Sequence, residues 1–126
     1  MQDGKYVILT IDDDPDFRQV IRLFLESNDY IMVEAQSAEQ GLKVFKETDP
    51  DLVLVDLMME SIDAGANFVK EMKLLGKNVP VLLLSGAGDG MSTSVDYSQY
   101  GFSGVFQKPI DNHRLLNIIK AKLSKD

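Results

Sequence analysis

Short apolar runs alternate along the chain with longer segments in which apolar residues recur every three or four positions. Runs of this length, bounded by polar or turn-forming residues, are typical of strands that are buried on both faces of a parallel sheet. The intervening segments have the period of an amphipathic helix. The pattern therefore predicts five strands alternating with five helices. The predicted strands cover residues 6–11, 31–35, 52–55, 79–84 and 104–107.

Capping residues mark where the predicted helices begin and end. Asp14 directly before Pro15 predicts an N-cap followed by proline at the first helical position, and Asn28 is the expected left-handed terminator of that helix. Ser37 and Gln40 have the spacing of a capping box at the start of the second helix. The third helix is expected to end at Gly76, the fourth to lie between Asp89 and Tyr100, and the fifth to be capped by Asp111.

The alternation of strands and helices also predicts the architecture. Right-handed crossovers between parallel strands place helices on both faces of the sheet, which gives a three-layer α/β sandwich. The residues expected to pack on the sheet are Phe17, Val20, Ile21, Phe24 and Leu25 in the first helix, Leu42 and Phe45 in the second, Phe68, Met72 and Leu75 in the third, and Leu116, Ile119 and Leu123 in the last.

Composition narrows the possible functions. A chain of 126 residues with 44% hydrophobic content suits one domain, which we expect to span residues 1–126. Twenty acidic residues against thirteen basic ones give a formal charge of −7, which argues against direct binding to nucleic acid and is compatible with cation binding. The absence of cysteine excludes disulfides and thiolate zinc sites, and no apolar run is long enough to span a membrane. We therefore expect a soluble cytoplasmic protein that does not associate with a membrane.

Polar residues stand at the carboxyl ends of the predicted strands: Asp12 and Asp13, Asp56, Ser85 and Lys108. Asp56, Ser85 and Lys108 each have an ordinary explanation by themselves, as a turn-capping aspartate, a turn serine and a solvated lysine. Capping does not explain Asp12 and Asp13, whose like charges repel unless a cation or an ammonium group lies between them. The common placement of these residues favours a shared site, because open α/β sheets bind ligands outside the carboxyl ends of their strands. Asp14 is explained by capping alone.

These residues carry a resemblance to the receiver domain of the two-component response-regulator family, over essentially the whole chain. The resemblance rests on the acidic pair after the first strand, Asp56 after the third, Ser85 after the fourth and Lys108 before Pro109 after the fifth. It implies a flavodoxin-like fold with strand order 2-1-3-4-5 and a Lys-Pro bond that is typically cis.

The resemblance also implies a role for each site residue. Asp56 would be the phosphoacceptor, and Ser85 and Lys108 would bind the phosphoryl group. Asp13 and Asp56 would ligate Mg²⁺, Asp12 would hold it through water, and Met58 is counted with the metal-binding residues. Elementary chemistry agrees, because a hard dication prefers carboxylate oxygens, whereas a lysine ammonium and a serine hydroxyl suit phosphoryl oxygens.

The implied function is a signalling switch. Asp56 would accept a phosphoryl group from a histidine kinase or a histidine phosphotransfer protein, with slow autodephosphorylation, and would signal through the fourth helix, the last strand and the last helix. We expect a monomer or a phosphorylation-dependent dimer with an output partner that the sequence does not identify. An alternative is a phosphorylation-independent interaction module on the same fold. A Mg²⁺ phosphatase is a more distant alternative, because Met58 stands where such an enzyme would need an acidic residue.

Three positions depart from the pattern of the family. Val105 stands where an aromatic switch residue is common, and period-two alternation places Phe106 on the opposite face of the strand. Glu60 and Ser61 replace the usual proline and glycine after Asp56. The coupling between the site and the output surface is therefore expected to differ from the usual one. His113 is expected to be an ordinary surface residue.

Overall fold

Strands and helices alternate between residues 7 and 85, as their hydrophobic pattern predicts. The computed structural model describes residues 2–56, 62–85, 101–107 and 111–123. The elements are β1 (Val7–Ile11), α1 (Pro15–Ser27), β2 (Ile31–Ala35), α2 (Ala38–Thr48), β3 (Leu52–Asp56), α3 (Ile62–Leu74), β4 (Val81–Ser85), β5 (Gly104–Gln107) and α4 (Asn112–Leu123).

All five strands belong to one parallel sheet, whose order is β2-β1-β3-β4-β5. The predicted fold and strand order are confirmed. The first and fourth strands are slightly shorter than predicted, since they begin at Val7 and Val81. Four helices lie in the described residues, and the additional helix expected between Asp89 and Tyr100 falls outside them, as does the Lys108-Pro109 bond. None of these four helices combines the length and apolarity that crossing a membrane requires.

The sheet separates two apolar cores. The α2–α3 core contains Phe45 and Phe68, whose rings meet edge to face with their centroids 6.0 Å apart, together with alternate residues of the strands such as Leu9 and Val53. The α1–α4 core contains the other face of the same strands together with residues of α1 and α4: Ile8, Leu52, Leu54, Leu82, Leu84, Ile21, Leu25, Leu115 and Ile119. The three-layer arrangement therefore follows from strands that are apolar on both faces.

Helix capping follows the sequence closely. The Asp14 side chain accepts a hydrogen bond from the Asp16 amide at 2.9 Å, and Pro15 is the first residue of α1. The Ser37 hydroxyl accepts from the Gln40 amide at 3.1 Å, while the Gln40 side chain accepts from the amide of Gln36 at 2.7 Å, one residue earlier than in an ideal capping box. The N-cap predictions are thus confirmed.

Asp111 likewise caps α4, because its Oδ1 accepts hydrogen bonds from the amides of His113 and Arg114. His113 itself is exposed, as expected. The left-handed conformation of Gly76 after α3, with φ of 80°, is also confirmed. The prediction for Asn28 was wrong, since the left-handed residue is Asp29, one place later, with φ of 66°.

Two residues predicted to face the core are exposed instead. Val20 is 60% exposed and Leu75 is 45% exposed. Successive residues of a helix point about 100° apart, so Val20 lies to one side of the stripe formed by Ile21 and Leu25. Leu75 lies one residue beyond the end of α3, in the turn that precedes Gly76. In α4 the fully buried partner of Ile119 is Leu115, whereas Leu116 and Leu123 are only partly buried against the α1–α4 core.

Charged side chains of α1 join that helix to the edge strand β2. Nε of Arg18 donates to Oε1 of Glu34 at 2.6 Å, and Arg22 pairs with the other carboxylate oxygen of Glu34. Arg22 also contacts Glu26 at 3.2 Å and donates to the Met32 carbonyl at 3.2 Å. Burial alone would raise the pKa of Glu34, but the hydrogen bonds from Arg18 and Arg22 outweigh it and hold that pKa below its ordinary value.

The lack of space around Gly41 predicts that a larger residue there lowers the stability of the fold. Gly41 lies in α2 against β1, and a Cβ there would clash with Cδ1 of Ile11 and lie 2.9 Å from its Cγ1. We expect Gly41→Ala to lower the free energy of unfolding by about 1–2 kcal/mol, because overpacking a core exceeds the helix-propensity gain of alanine. Urea denaturation measures this, with Lys43→Ala on the exposed side of the same helix as the control. A Gly41→Ala variant as stable as the parent would show that Ile11 has room to move.

The ion pairs of Glu34 with Arg18 and Arg22 predict a contribution to stability that depends on pH. We expect Glu34→Gln to lower the free energy of unfolding at neutral pH by about 0.5–1 kcal/mol, as is typical of partly exposed ion pairs. Because the pKa of Glu34 is lower in the folded state than its ordinary value of 4.5, this contribution is complete above that value and is lost as the pH falls through the folded-state pKa.

Denaturation of the parent and variant at neutral pH and at a pH well below 4.5 measures the difference. Glu26→Gln is the matched control, since within the described residues the Glu26 side chain pairs only with Arg22, across one helical turn. A destabilisation by Glu34→Gln that persists unchanged at low pH would contradict an electrostatic origin.

Candidate functional site

The register of the sheet brings the carboxyl ends of the strands to one edge. Ile11 of β1 lies opposite Val55 of β3, so Asp12 and Asp56, the residues that follow them, reach the same level. On the other side of β3, Asp56 pairs with Leu84, which precedes Ser85. Ser85 in turn pairs with Gln107, the residue before Lys108. The carboxyl ends of these strands therefore converge as the sequence predicts.

Asp12 is held at several atoms. Asp12 is only 1% exposed, and its Oδ1 accepts a hydrogen bond from the amide of Asp14 at 2.9 Å. Its own amide donates to the Ala35 carbonyl at 3.0 Å, which extends the pairing of β1 with β2. Its carbonyl oxygen accepts from Nη1 of Arg18 at 2.5 Å. The turn after β1 is thus anchored to the neighbouring strand and to α1.

Asp56 is the last residue of β3 and is 3% exposed. A carboxylate at this depth is costly unless other groups compensate its charge. The four residues before it are fully apolar and buried, so the strand presents this one charge at its very end. Asp13 differs from both, since it is exposed in the turn that follows Asp12. The edge therefore combines two buried carboxylates with an exposed one.

The donor chemistry of these residues fits Mg²⁺, which prefers carboxylate oxygens and keeps several waters. The fit rests on the shared edge of Asp12 and Asp56 and on the adjacent Asp13. Within the described ranges, no three side chains of His, Cys, Asp or Glu are grouped closely enough to hold a metal by themselves. Met58 and Lys108 lie outside those ranges, and of Ser85 only the backbone is described.

Arg18 and Glu34 are part of this neighbourhood, although the sequence reasoning missed them. Arg18 contacts the Asp12 carbonyl and Glu34 together, and the two residues line a shallow cleft of about 210 Å³ with Gln36 and Gln40. A signal was present in the sequence, because Glu34 is the only charged residue within the strand Ile31–Ala35. A charge inside a strand indicates that a counter-charge packs nearby.

The chain is similar to known proteins over nearly all of its length. Residues 8–120 match the family model described as the response regulator receiver domain. The chain is 30% identical to the chemotaxis protein CheY of Bacillus subtilis over 118 residues, which cover 93% of this chain and 97% of that protein. It is 31% identical to the transcriptional regulatory protein GlrR of Escherichia coli over 94% of its own length, but it spans only 26% of that longer regulator.

A solved structure shows the same fold. The response regulator receiver domain protein from Clostridium thermocellum superimposes with a TM-score of 0.80 at 26% sequence identity, over 94% of each chain. The strand order, the acidic edge and the family match over nearly all of the chain point to one conclusion. The chain belongs to the response regulator receiver domain family of two-component signalling.

Proposed function

We propose that this receiver domain is a phosphoacceptor switch in which Asp56 receives a phosphoryl group from a phosphohistidine donor. The observation that carries the proposal is the placement of Asp56. It ends the central strand, it is buried, and the sheet register sets it level with Asp12. A carboxylate so placed is costly as a purely structural group, whereas it suits a nucleophile that is shielded from bulk water.

In the transfer step a carboxylate oxygen of Asp56 forms a bond to phosphorus while the bond from phosphorus to the donor imidazole nitrogen breaks. The nitrogen keeps the electron pair of that bond and leaves as a neutral imidazole once it is protonated. The chain then carries an acyl phosphate, which adds about −1.5 to −2 charges at neutral pH. Hydrolysis of this acyl phosphate by water would return the domain to its resting state.

The other site residues are proposed to bind Mg²⁺ and to orient the phosphoryl group. Asp13 and Asp56 would ligate Mg²⁺, Asp12 would hold it through water, and Met58 would complete the metal-binding set. When bound, Mg²⁺ supplies positive charge that reduces repulsion between Asp56 and the phosphoryl oxygens. Lys108 would contribute a further positive charge, and Ser85 a hydroxyl donor, to those oxygens. Asp12 can keep its geometry throughout, because the Asp14 amide and Arg18 hold it from two sides.

We propose that the signal leaves through the segment between Asp89 and Tyr100, β5 and α4. In β5, Val105 packs against the α2–α3 core, whereas Phe106 is buried in the α1–α4 core, so the predicted opposite orientation of the two side chains is confirmed. Val105 is β-branched and has a stiff χ1, so a large side-chain rotation at this position is unfavourable. The donor would be a histidine kinase or a histidine phosphotransfer protein, and the proposed compartment is the cytoplasm.

The orientation of Val105 and Phe106 also supports a second candidate function. Without a rotating aromatic residue at position 105, the domain could act as an interaction module that binds its partner irrespective of phosphorylation. The two functions differ in one measurable respect, since only the switch requires an acyl phosphate on Asp56.

We expect incubation with acetyl phosphate and Mg²⁺ to add about 80 Da, the mass of one phosphoryl group, to the parent protein. Asp56→Asn should abolish the gain, because the amide is not a nucleophile of this kind. Intact-protein mass spectrometry followed by fragmentation checks both statements. Asp29→Asn is a matched control, since this aspartate is exposed in the turn before β2, at the opposite edge of the sheet.

Two outcomes would overturn this assignment. An adduct that persists in Asp56→Asn would place the phosphoacceptor elsewhere. A parent protein that gains no mass with Mg²⁺ present, but still binds its partner, would favour the interaction module. Omitting Mg²⁺ or adding EDTA should prevent the gain in the parent.

The proposed difference between Asp12 and Asp13 predicts unequal effects on Mg²⁺ binding. We expect Asp13→Asn to weaken binding more than Asp12→Asn, because Asp13 is assigned to direct ligation and Asp12 to a water-mediated contact. Asparagine is the appropriate replacement, since at position 12 its side-chain oxygen can still accept the hydrogen bond from the Asp14 amide. Calorimetric titration with Mg²⁺ measures both dissociation constants, and equal values for the two variants would contradict the assignment.

A further inference from the structure

Arg18 connects the acidic turn after β1 to the edge strand of the sheet. Its Nη1 donates to the Asp12 carbonyl at 2.5 Å and its Nε donates to Oε1 of Glu34 at 2.6 Å. The side chain is only 17% exposed, so water competes weakly for these bonds. Arg22 holds the second carboxylate oxygen of Glu34, which limits rotation of the glutamate that orients Arg18.

The contact with the Asp12 carbonyl has a geometric consequence for Asp13. The carbonyl of Asp12 and the amide of Asp13 belong to the same planar peptide group. Fixing the direction of that carbonyl therefore fixes the plane from which Asp13 extends. The Asp14 amide, bonded to Oδ1 of Asp12, holds the other side of the same residue. Within the described residues no hydrogen bond or ion pair reaches the Asp13 side chain, so its direction depends on this backbone.

We infer that Arg18 is a positioning residue for the metal site, acting through the Asp12–Asp13 peptide plane to direct the Asp13 carboxylate. The inference rests on the proposed Mg²⁺-dependent function. Arg18 would touch neither the metal nor the phosphoryl group. Glu34 would be its orienting partner, and the ion pairs of α1 with β2 would form part of the site rather than only of the fold.

A purely electrostatic role would have the opposite sign. Arg18 is a cation bonded to the backbone of the acidic turn that contains Asp12 and Asp13, so its charge by itself disfavours a nearby dication. The group of Arg18, Arg22, Glu26 and Glu34 carries two positive and two negative charges, and removing Arg18 leaves it net negative. On charge alone, a neutral residue at position 18 would therefore strengthen Mg²⁺ binding. Positioning predicts that it weakens binding.

The test compares Arg18→Met, Arg18→Lys and Arg22→Met in the full chain. Arg18→Met should weaken Mg²⁺ binding about tenfold, as is typical when a residue that orients a metal ligand is removed. Arg18→Lys should fail to restore it, because one ammonium group cannot reproduce the two diverging N–H directions of a guanidinium. Arg22→Met is the matched control, because Arg22 lies on the same helix as Arg18 and pairs with the same Glu34 but does not contact Asp12. This variant should change the Mg²⁺ dissociation constant less than threefold.

The measurement is titration with Mg²⁺ followed by the ¹H and ¹⁵N amide shifts of Asp13 and Asp14. Arg18→Met should already change the ¹⁵N shift of Asp13 in the absence of metal, because the peptide group loses its hydrogen bond at the carbonyl. Phosphorylation by acetyl phosphate should recover the parental rate when Mg²⁺ is raised to saturation, since Asp56 is unaltered. Urea denaturation in parallel separates this effect from a loss of folded protein.

The outcomes separate this inference from the proposed function. Unchanged or tighter Mg²⁺ binding in Arg18→Met, with a parent that binds Mg²⁺ and is phosphorylated, would overturn the positioning role alone. Full affinity in Arg18→Lys would also overturn it, because the two hydrogen bonds of the guanidinium would then not be needed. A parent that neither binds Mg²⁺ nor accepts a phosphoryl group would overturn the proposed function and, with it, this inference.

Discussion

Burying two carboxylates at the edge of an apolar sheet is the constraint on which the rest of this structure depends. Asp12 and Asp56 lie where buried strands end, so the apolar interior remains continuous and the charges stand at its border. The pairing of β1 with β3 sets the two carboxylates level, and the pairing of β3 with β4 brings the end of β4 beside them. A one-residue change in either register would separate these groups and reverse which core each strand residue faces.

The features that the sequence predicted well are those that depend on local pattern. Apolar runs identify strands buried on both faces, and the carboxyl ends of parallel strands must meet, so the acidic edge follows from the strand assignments alone. Caps such as Asp14 and Ser37 satisfy amides two or three residues away, and their partners are therefore visible in the sequence. The family resemblance supplied the roles of individual residues, which geometry of the backbone does not.

The features that the sequence predicted poorly depend on distant neighbours. Val20 fits the helical period as well as Ile21 does, and only the position of the sheet decides which of them is buried. Asn28 and Asp29 are both able to adopt left-handed backbone, and the path into β2 decides between them. The bond from Arg18 to the Asp12 carbonyl joins a side chain to a backbone atom, so no pairing of charges in the sequence reveals it.

The edge of the sheet at β2 carries a further consequence. Edge strands expose unpaired carbonyls and amides, and these can recruit a strand from another molecule. Here the guanidinium of Arg22 occupies the outward Met32 carbonyl, and Glu34 with its two arginines places bulky charged groups along the same border. A strand of a second chain could pair with β2 only by displacing those side chains and leaving their charges without counter-charges. The border thereby resists intermolecular strand addition, a property that matters for a domain whose strands are apolar on both faces and would aggregate readily if exposed.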